Sequence, residues 1–157
     1  MSKQPWALIL GASSGFGEAT AVELARAGMN IFGVHMDRRD KLPHVAEVQE
    51  KIRALGRECE FFNFNASDDE KRKECVETIR QRLAGGPETP AGWLRVLLHS
   101  LAWGALKPLA GAETIANKKQ IESTADIMGH SLVYWVQECL LAGLLDKGTR
   151  IFAMTSS

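Results

Sequence analysis

The run Ala7-Leu8-Ile9-Leu10-Gly11-Ala12-Ser13-Ser14-Gly15-Phe16-Gly17 constrains this chain more than any other feature. An apolar strand enters three glycines, at 11, 15 and 17, and a helical pattern follows at once over Glu18–Ala27. Each glycine has its own use. Gly11 permits a tight turn, Gly15 lets the backbone approach a ligand, and Gly17 lets the helix pack close to the strand. The amides that open the helix, with the helix dipole behind them, then favour an anionic group such as a pyrophosphate. The strand before and the helix after supply the context that separates a dinucleotide loop from an ordinary turn.

The same punctuation continues along the chain. Residues 6–10 read as a strand, Phe16–Ala27 as a helix closed by Gly28, and Asn30–His35 as a second strand. A helix is predicted over Pro43–Leu55, with proline in its first turn, and a third strand over Glu58–Phe64. Ser67-Asp68-Asp69-Glu70 offers cap and first-turn acids for a helix to about Leu83. Leu94–His99 is a near-continuous apolar run, as in strands covered on both faces. A long helix is predicted over Ile121–Leu145, broken by Lys147-Gly148, and a fifth strand over Arg150–Met154. Strands alternating with helices imply an α/β fold, a doubly wound parallel sheet in three α/β/α layers of Rossmann type.

Composition narrows the function. The chain has 157 residues, 45% hydrophobic, with 19 basic and 19 acidic side chains. That length suits a single dinucleotide-binding domain with a real core. Zero formal charge offers no stripe for nucleic acid and no polybasic membrane anchor. Three scattered cysteines, without a Cys-x-x-Cys pair, read as reduced thiols rather than a disulfide frame or metal site. No apolar stretch reaches membrane-spanning length and no signal peptide stands before the first strand, so a cytoplasmic protein is expected.

The spacing Gly-x-x-x-Gly-x-Gly at residues 11–17 resembles the short-chain dehydrogenase/reductase family, and the resemblance implies NAD(P)-dependent oxidoreduction. It places Gly11, Ser13, Ser14, Gly15, Phe16 and Gly17 on the coenzyme. The family's usual acid at the end of the second strand falls on His35, followed by Met36-Asp37-Arg38-Arg39. With no acid at 35 and Arg38 just beyond, NADP(H) is favoured over NAD(H); Asp37, pointing the same way as His35 on an extended chain, is the counter-argument. Asn65 and Ala66 stand where the family flanks adenine. His99-Ser100-Leu101-Ala102-Trp103 is similar to the enoyl-acyl-carrier-protein reductase branch, which implies Ser100, Leu101 and Ala102 along the nicotinamide ribose and pyrophosphate. Asp126-Ile127-Met128-Gly129-His130-Ser131-Leu132 resembles the start of that branch's interface helix.

Ile151-Phe152-Ala153-Met154-Thr155-Ser156-Ser157 resembles the segment carrying the family's active-site serine, which makes Ser156 the catalytic candidate and Ser157 its fallback. The family's Tyr-x-x-x-Lys pair is absent: the one tyrosine, Tyr134, is followed by Glu138. The resemblance therefore covers about the N-terminal two-thirds of a typical family domain, without its last strands. The expectation is an oxidoreductase acting on an enoyl-acyl or carbonyl substrate (a small molecule or acyl thioester), assembled as a dimer or tetramer, of which this chain alone is inactive. The other reading is a non-catalytic NAD(P)-binding sensor or regulatory protein.

Overall fold

The structure is a computed structural model and describes residues 3–155. Five parallel strands form one sheet: β1 (Gln4–Leu10), β2 (Asn30–His35), β3 (Cys59–Asn63), β4 (Gly92–His99) and β5 (Arg150–Ala153), in the order β3-β2-β1-β4-β5. The connecting helices are α1 (Gly15–Arg26), α2 (Leu42–Ala54), α3 (Asp69–Ala84), α4 (Lys118–Ala125) and α5 (Ser131–Leu141). This is the Rossmann-like α/β arrangement expected from the alternation. The chain builds outward from β1 to β3, then returns to set β4 against the other side of β1. A crevice opens at such a switch point, beyond the carboxyl ends of the strands.

Alternation along β1 divides the interior into two cores. Trp6, Leu8 and Leu10 pack with Ile79 of α3 and Trp135 of α5; Ala7 and Ile9 pack with Ala21 of α1 and Val48 and Ile52 of α2. Trp6 stacks on Phe32 with ring centroids 4.2 Å apart. The register between β1 and β4 slips by one residue: Trp6 faces Leu94 but Ala7 faces Val96. Arg95 is the extra residue, which explains why Leu94 and Leu97 share one core although three positions apart.

Element ends differ from the sequence reading in instructive ways. The helix expected over Ile121–Leu145 starts earlier, at Lys118, because Asn117 and Gln120 close a capping box. It ends at Leu141, where Ala142 and Gly143 turn the chain away before Lys147-Gly148 is reached. Between α4 and α5 it widens into a π-helical turn, Asp126–His130. Asp68 is the cap of α3, accepting from the Lys71 amide at 2.9 Å, whereas Ser67 turns back to Asn65. β5 is one residue shorter than expected and exposed at all four positions. No described helix is long and apolar enough to cross a membrane.

Candidate functional site

A cavity of about 300 Å³ lies at the carboxyl ends of β1–β4. Gly11, Ser13, Ser14, Gly15, Phe16, His35, Asn65, Ala66, Ser100, Leu101 and Ala102 line it, twelve-residue α1 pointing its N-terminus inward. Gly17 and Arg38 do not line it, and Ser156 lies outside the described residues. Val34, Met36, Asp37, Phe64, Trp103 and Ile127 complete the wall.

The glycine corner is built by close approach. A Cβ on Gly17 would stand 1.8 Å from the Gly11 carbonyl oxygen, so helix and strand can meet only through glycine. Gly15 is different: its φ is +56°, and a Cβ there would meet nothing within 4 Å. Gly15 also lines the cavity. Ser14 stands at the helix cap without a side-chain hydrogen bond, so the first-turn amides keep no side-chain acceptor of their own. Gly11 and Ala12 donate to the Val34 carbonyl at 2.8 and 3.1 Å, and Ser100 donates to Leu10 at 2.8 Å. These bonds hold three strand ends together around the corner.

At the end of β2, His35 is buried and its Nδ1 lies 2.9 Å from Asp37 Oδ2. Asn63 clamps the main chain of Asp37 twice: the Asp37 amide donates to Asn63 Oδ1 at 2.9 Å, and Asn63 Nδ2 donates to the Asp37 carbonyl at 3.0 Å. Asp37, the counter-argument of the sequence reading, thus lies in the wall, and Arg38 beside it is exposed to solvent.

Asn65 lines the cavity, and its Oδ1 accepts from both the amide and the hydroxyl of Ser67, each at 3.0 Å, which fixes the turn. Ala66 is held from behind, its carbonyl accepting from Trp135 Nε1 at 2.9 Å.

Under the β4 end lies a buried polar pair. Ser131 Oγ donates to the Ile127 carbonyl at 2.7 Å, so it accepts from His99 Nε2 at 2.8 Å. Burial lowers the His99 pKa, which suits a neutral imidazole with its hydrogen on Nε2. The pair fastens the π-helical turn to the sheet and sets Ile127 in the cavity wall. Tyr134 packs away from the cavity: its hydroxyl donates to Asp126 Oδ1 at 2.8 Å, and the Arg72 guanidinium covers its ring at 5.2 Å. Cys75 and Cys139 are buried, and burial pushes the Cys139 thiol up to about 12. Among the described residues no three His, Cys, Asp or Glu side chains gather as a metal site would require.

Ile127 and Trp103 were missed by the sequence reading. Trp103 adjoins the Ser100–Ala102 segment, so its neighbours were the available signal. Ile127 carried none, since its place depends on the π-helical turn.

Comparison with known proteins agrees with this fold. The family model described as short chain dehydrogenase matches residues 5–157. The uncharacterized oxidoreductase YhxD of Bacillus subtilis (strain 168) is 29% identical over 150 residues, covering 96% of this chain and 45% of that protein. Among solved structures, YwfH, an NADPH-dependent reductase involved in bacilysin biosynthesis, superposes with a TM-score of 0.76 at 19% identity, over 97% of this chain and 54% of its own. A short chain dehydrogenase from Burkholderia cenocepacia J2315 in complex with NADP gives 0.75 at 22%, over 96% and 55%. The 3-oxoacyl-[acyl-carrier protein] reductase of Brucella melitensis in complex with NAD gives 0.73 at 18%, over 98% and 56%. At such identities the structures speak for the fold, and the chain spans about half the length of these relatives. The family match takes in nearly every residue, and the chain belongs to the short chain dehydrogenase family.

Proposed function

We propose that this chain is the coenzyme-binding part of an NAD(P)H-dependent oxidoreductase that acts on an enoyl-acyl or carbonyl substrate. The observation that carries the reading is the open space at Gly15: a positive-φ glycine at the head of a helix, with room where a side chain would stand. The nicotinamide coenzyme supplies the hydride, and the protein's part is to bind and orient it. The amides of Gly15 and Phe16 would take the pyrophosphate, Ser13 and Ser14 would add hydroxyl donors, and Gly17 would keep the helix close. Asn65 and Ala66 would flank adenine. Ser100, Leu101 and Ala102 would lie along the nicotinamide ribose.

Ser156 is proposed to hydrogen-bond the substrate oxygen, by its place in the family pattern. With no Tyr-x-x-x-Lys in these 157 residues, the chain alone is expected to be inactive. NADP(H) is the proposed coenzyme, supported by Arg38 and Arg39 next to the cavity wall. A small-molecule or acyl-thioester substrate, a dimer or tetramer, and a cytoplasmic location belong to the same proposal.

The test is titration of the natural full-length protein with NADPH and NADH, followed by nicotinamide fluorescence. Micromolar or tighter binding of either supports the reading; binding of neither by folded protein overturns it. Replacing Arg38 with alanine should weaken NADPH far more than NADH, and equal losses would remove Arg38 from the 2′-phosphate. Turnover of an enoyl thioester against a ketoacyl thioester then separates the two substrate classes, and binding without any turnover would favour a sensor.

A further inference from the structure

The end of β2 holds an arrangement that the coenzyme site does not require. A group that reads the adenosine ribose belongs at this strand end, and a carboxylate there suits the 2′-hydroxyl while opposing a 2′-phosphate. Here the strand-end position is occupied by an imidazole, and the carboxylate stands two residues later. The two are joined: His35 Nδ1 and Asp37 Oδ2 are 2.9 Å apart, with the His35 side chain 4% exposed and that of Asp37 21% exposed. A carboxylate only accepts, so Nδ1 carries the hydrogen and donates it. His35 itself cannot wander, since its ring lies 6.1 Å from that of Phe61 and its carbonyl accepts from the Phe64 amide at 2.8 Å. Asn63 holds the Asp37 main chain from the other side with two hydrogen bonds. The main chain of Asp37 and one of its carboxylate oxygens are thereby held.

We propose that His35 is a positioning residue for coenzyme choice, acting through Asp37: its hydrogen bond occupies one carboxylate oxygen and fixes the group in the cavity wall, so that its charge is kept from turning toward a 2′-phosphate. The inference rests on the nucleotide reading above and goes beyond it. Without the tether, both carboxylate oxygens are free to take the ribose diol, and the negative charge faces any 2′-phosphate. Without the charge, nothing at this position opposes the phosphate.

The experiment uses the natural full-length protein and its Asp37→Asn, His35→Leu and His35→Asn variants, each titrated with NADPH and NADH by nicotinamide fluorescence. The readout is the ratio of the two dissociation constants, NADPH over NADH. Asp37→Asn should lower the ratio by about fivefold or more, the scale of one partly exposed charge. His35→Leu should raise it by a similar factor. His35→Asn keeps an N–H close to the position of Nδ1 and should restore the ratio to within about twofold of wild type. A merely structural histidine would weaken both coenzymes together and leave the ratio unmoved in both His35 variants, which overturns the inference while the coenzyme reading stands. If His35→Leu does not fold, His35→Phe takes its place, and a ratio unchanged in it or in Asp37→Asn overturns the proposal. Failure of the wild-type protein to bind either coenzyme overturns the coenzyme reading itself, and this inference with it.

Discussion

β1 and β5 are both short apolar strands of the same parallel sheet, and they end in opposite conditions. In β1, Trp6 through Leu10 are almost wholly removed from solvent, with β2 on one side and β4 on the other. In β5, Ile151 is 44% and Phe152 52% exposed, and Leu140 and Leu141 at the end of α5 are exposed as well. An apolar run therefore signals a strand without signalling its cover, because burial is settled by what the topology sets on each face. The glycine corner belongs to the covered half: its three strand ends hold one another by hydrogen bonds, and the cavity opens where they converge. β5 takes its order from β4 alone.

The largest expected effect would break the covered half outright. Gly17→Val places a side chain where the Gly11 carbonyl oxygen already stands, with backbone and not a flexible side chain in the way. α1 must then leave β1, and the expected result is no cooperative unfolding transition by circular dichroism. A variant that melts like wild type would show that the close helix–strand contact is dispensable.

A less drastic pair measures the contrast directly. Leu8→Ala empties a fully buried site between β2 and β4 and should cost about 2–5 kcal/mol in denaturant unfolding. Phe152→Ser removes a larger side chain that is half in water, and in the 157-residue chain it should change stability by about 0.5 kcal/mol or less. Comparable losses at the two positions would mean that β5 is covered in solution by something that its exposure does not show.

Gly15→Val tests the corner as a site and not as a fold. A β-branched residue is poorly tolerated at a φ of +56°, yet its Cβ would meet no protein atom within 4 Å, so the variant should fold with a modest stability loss. Coenzyme affinity should nevertheless fall below detection, because the side chain fills the space proposed for the pyrophosphate. Unchanged affinity in the full-length protein would remove that proposal.

What could be read in the sequence, and what could not, follows the range of the interactions involved. Strand, glycine loop and helix at 6–27 are local: periodicity and punctuation fix them, and the residues just after each strand, Ser13, Asn65 and Ser100 among them, reach the cavity by connectivity alone. Long-range partners leave no such mark. The cap of α3 fell on Asp68 and not Ser67 because the Asn65 side chain captures Ser67 first. Ile127 enters the wall through a π-helical turn fastened by Ser131 to His99, a contact across 32 residues. The slip at Arg95 is invisible for the same reason, since it depends on how β4 meets β1.

The smallest effect sharpens the comparison at the surface. The covered half has an ionic clamp between elements: Glu18 of α1 accepts from His44 Nε2 at 2.8 Å and from Lys51 Nζ at 3.2 Å, both on α2, with Glu47 3.6 Å from His44 Nδ1. Around β5, among the described residues, Arg150 donates only to nearby carbonyls, those of Lys147 and Thr149. Partial burial pulls Glu18 upward, but the hydrogen bonds from His44 and Lys51 outweigh it and hold the carboxyl below its ordinary range. The bond to Glu18 raises the pKa of His44. The signs then fix a window. The Glu18 contribution is present above its unfolded-state pKa and is lost as pH falls through its lowered folded value. The His44 contribution is complete below its unfolded-state pKa and is lost as pH rises through its raised folded value. The melting-temperature gap between wild type and His44→Ala should therefore peak in mildly acidic solution and close as pH rises past neutrality, while the gap for Phe152→Ser stays flat. A His44→Ala gap that does not vary with pH would mean the clamp acts by packing rather than charge, and a pH-dependent gap at Phe152 would mean that a titrating group couples to β5.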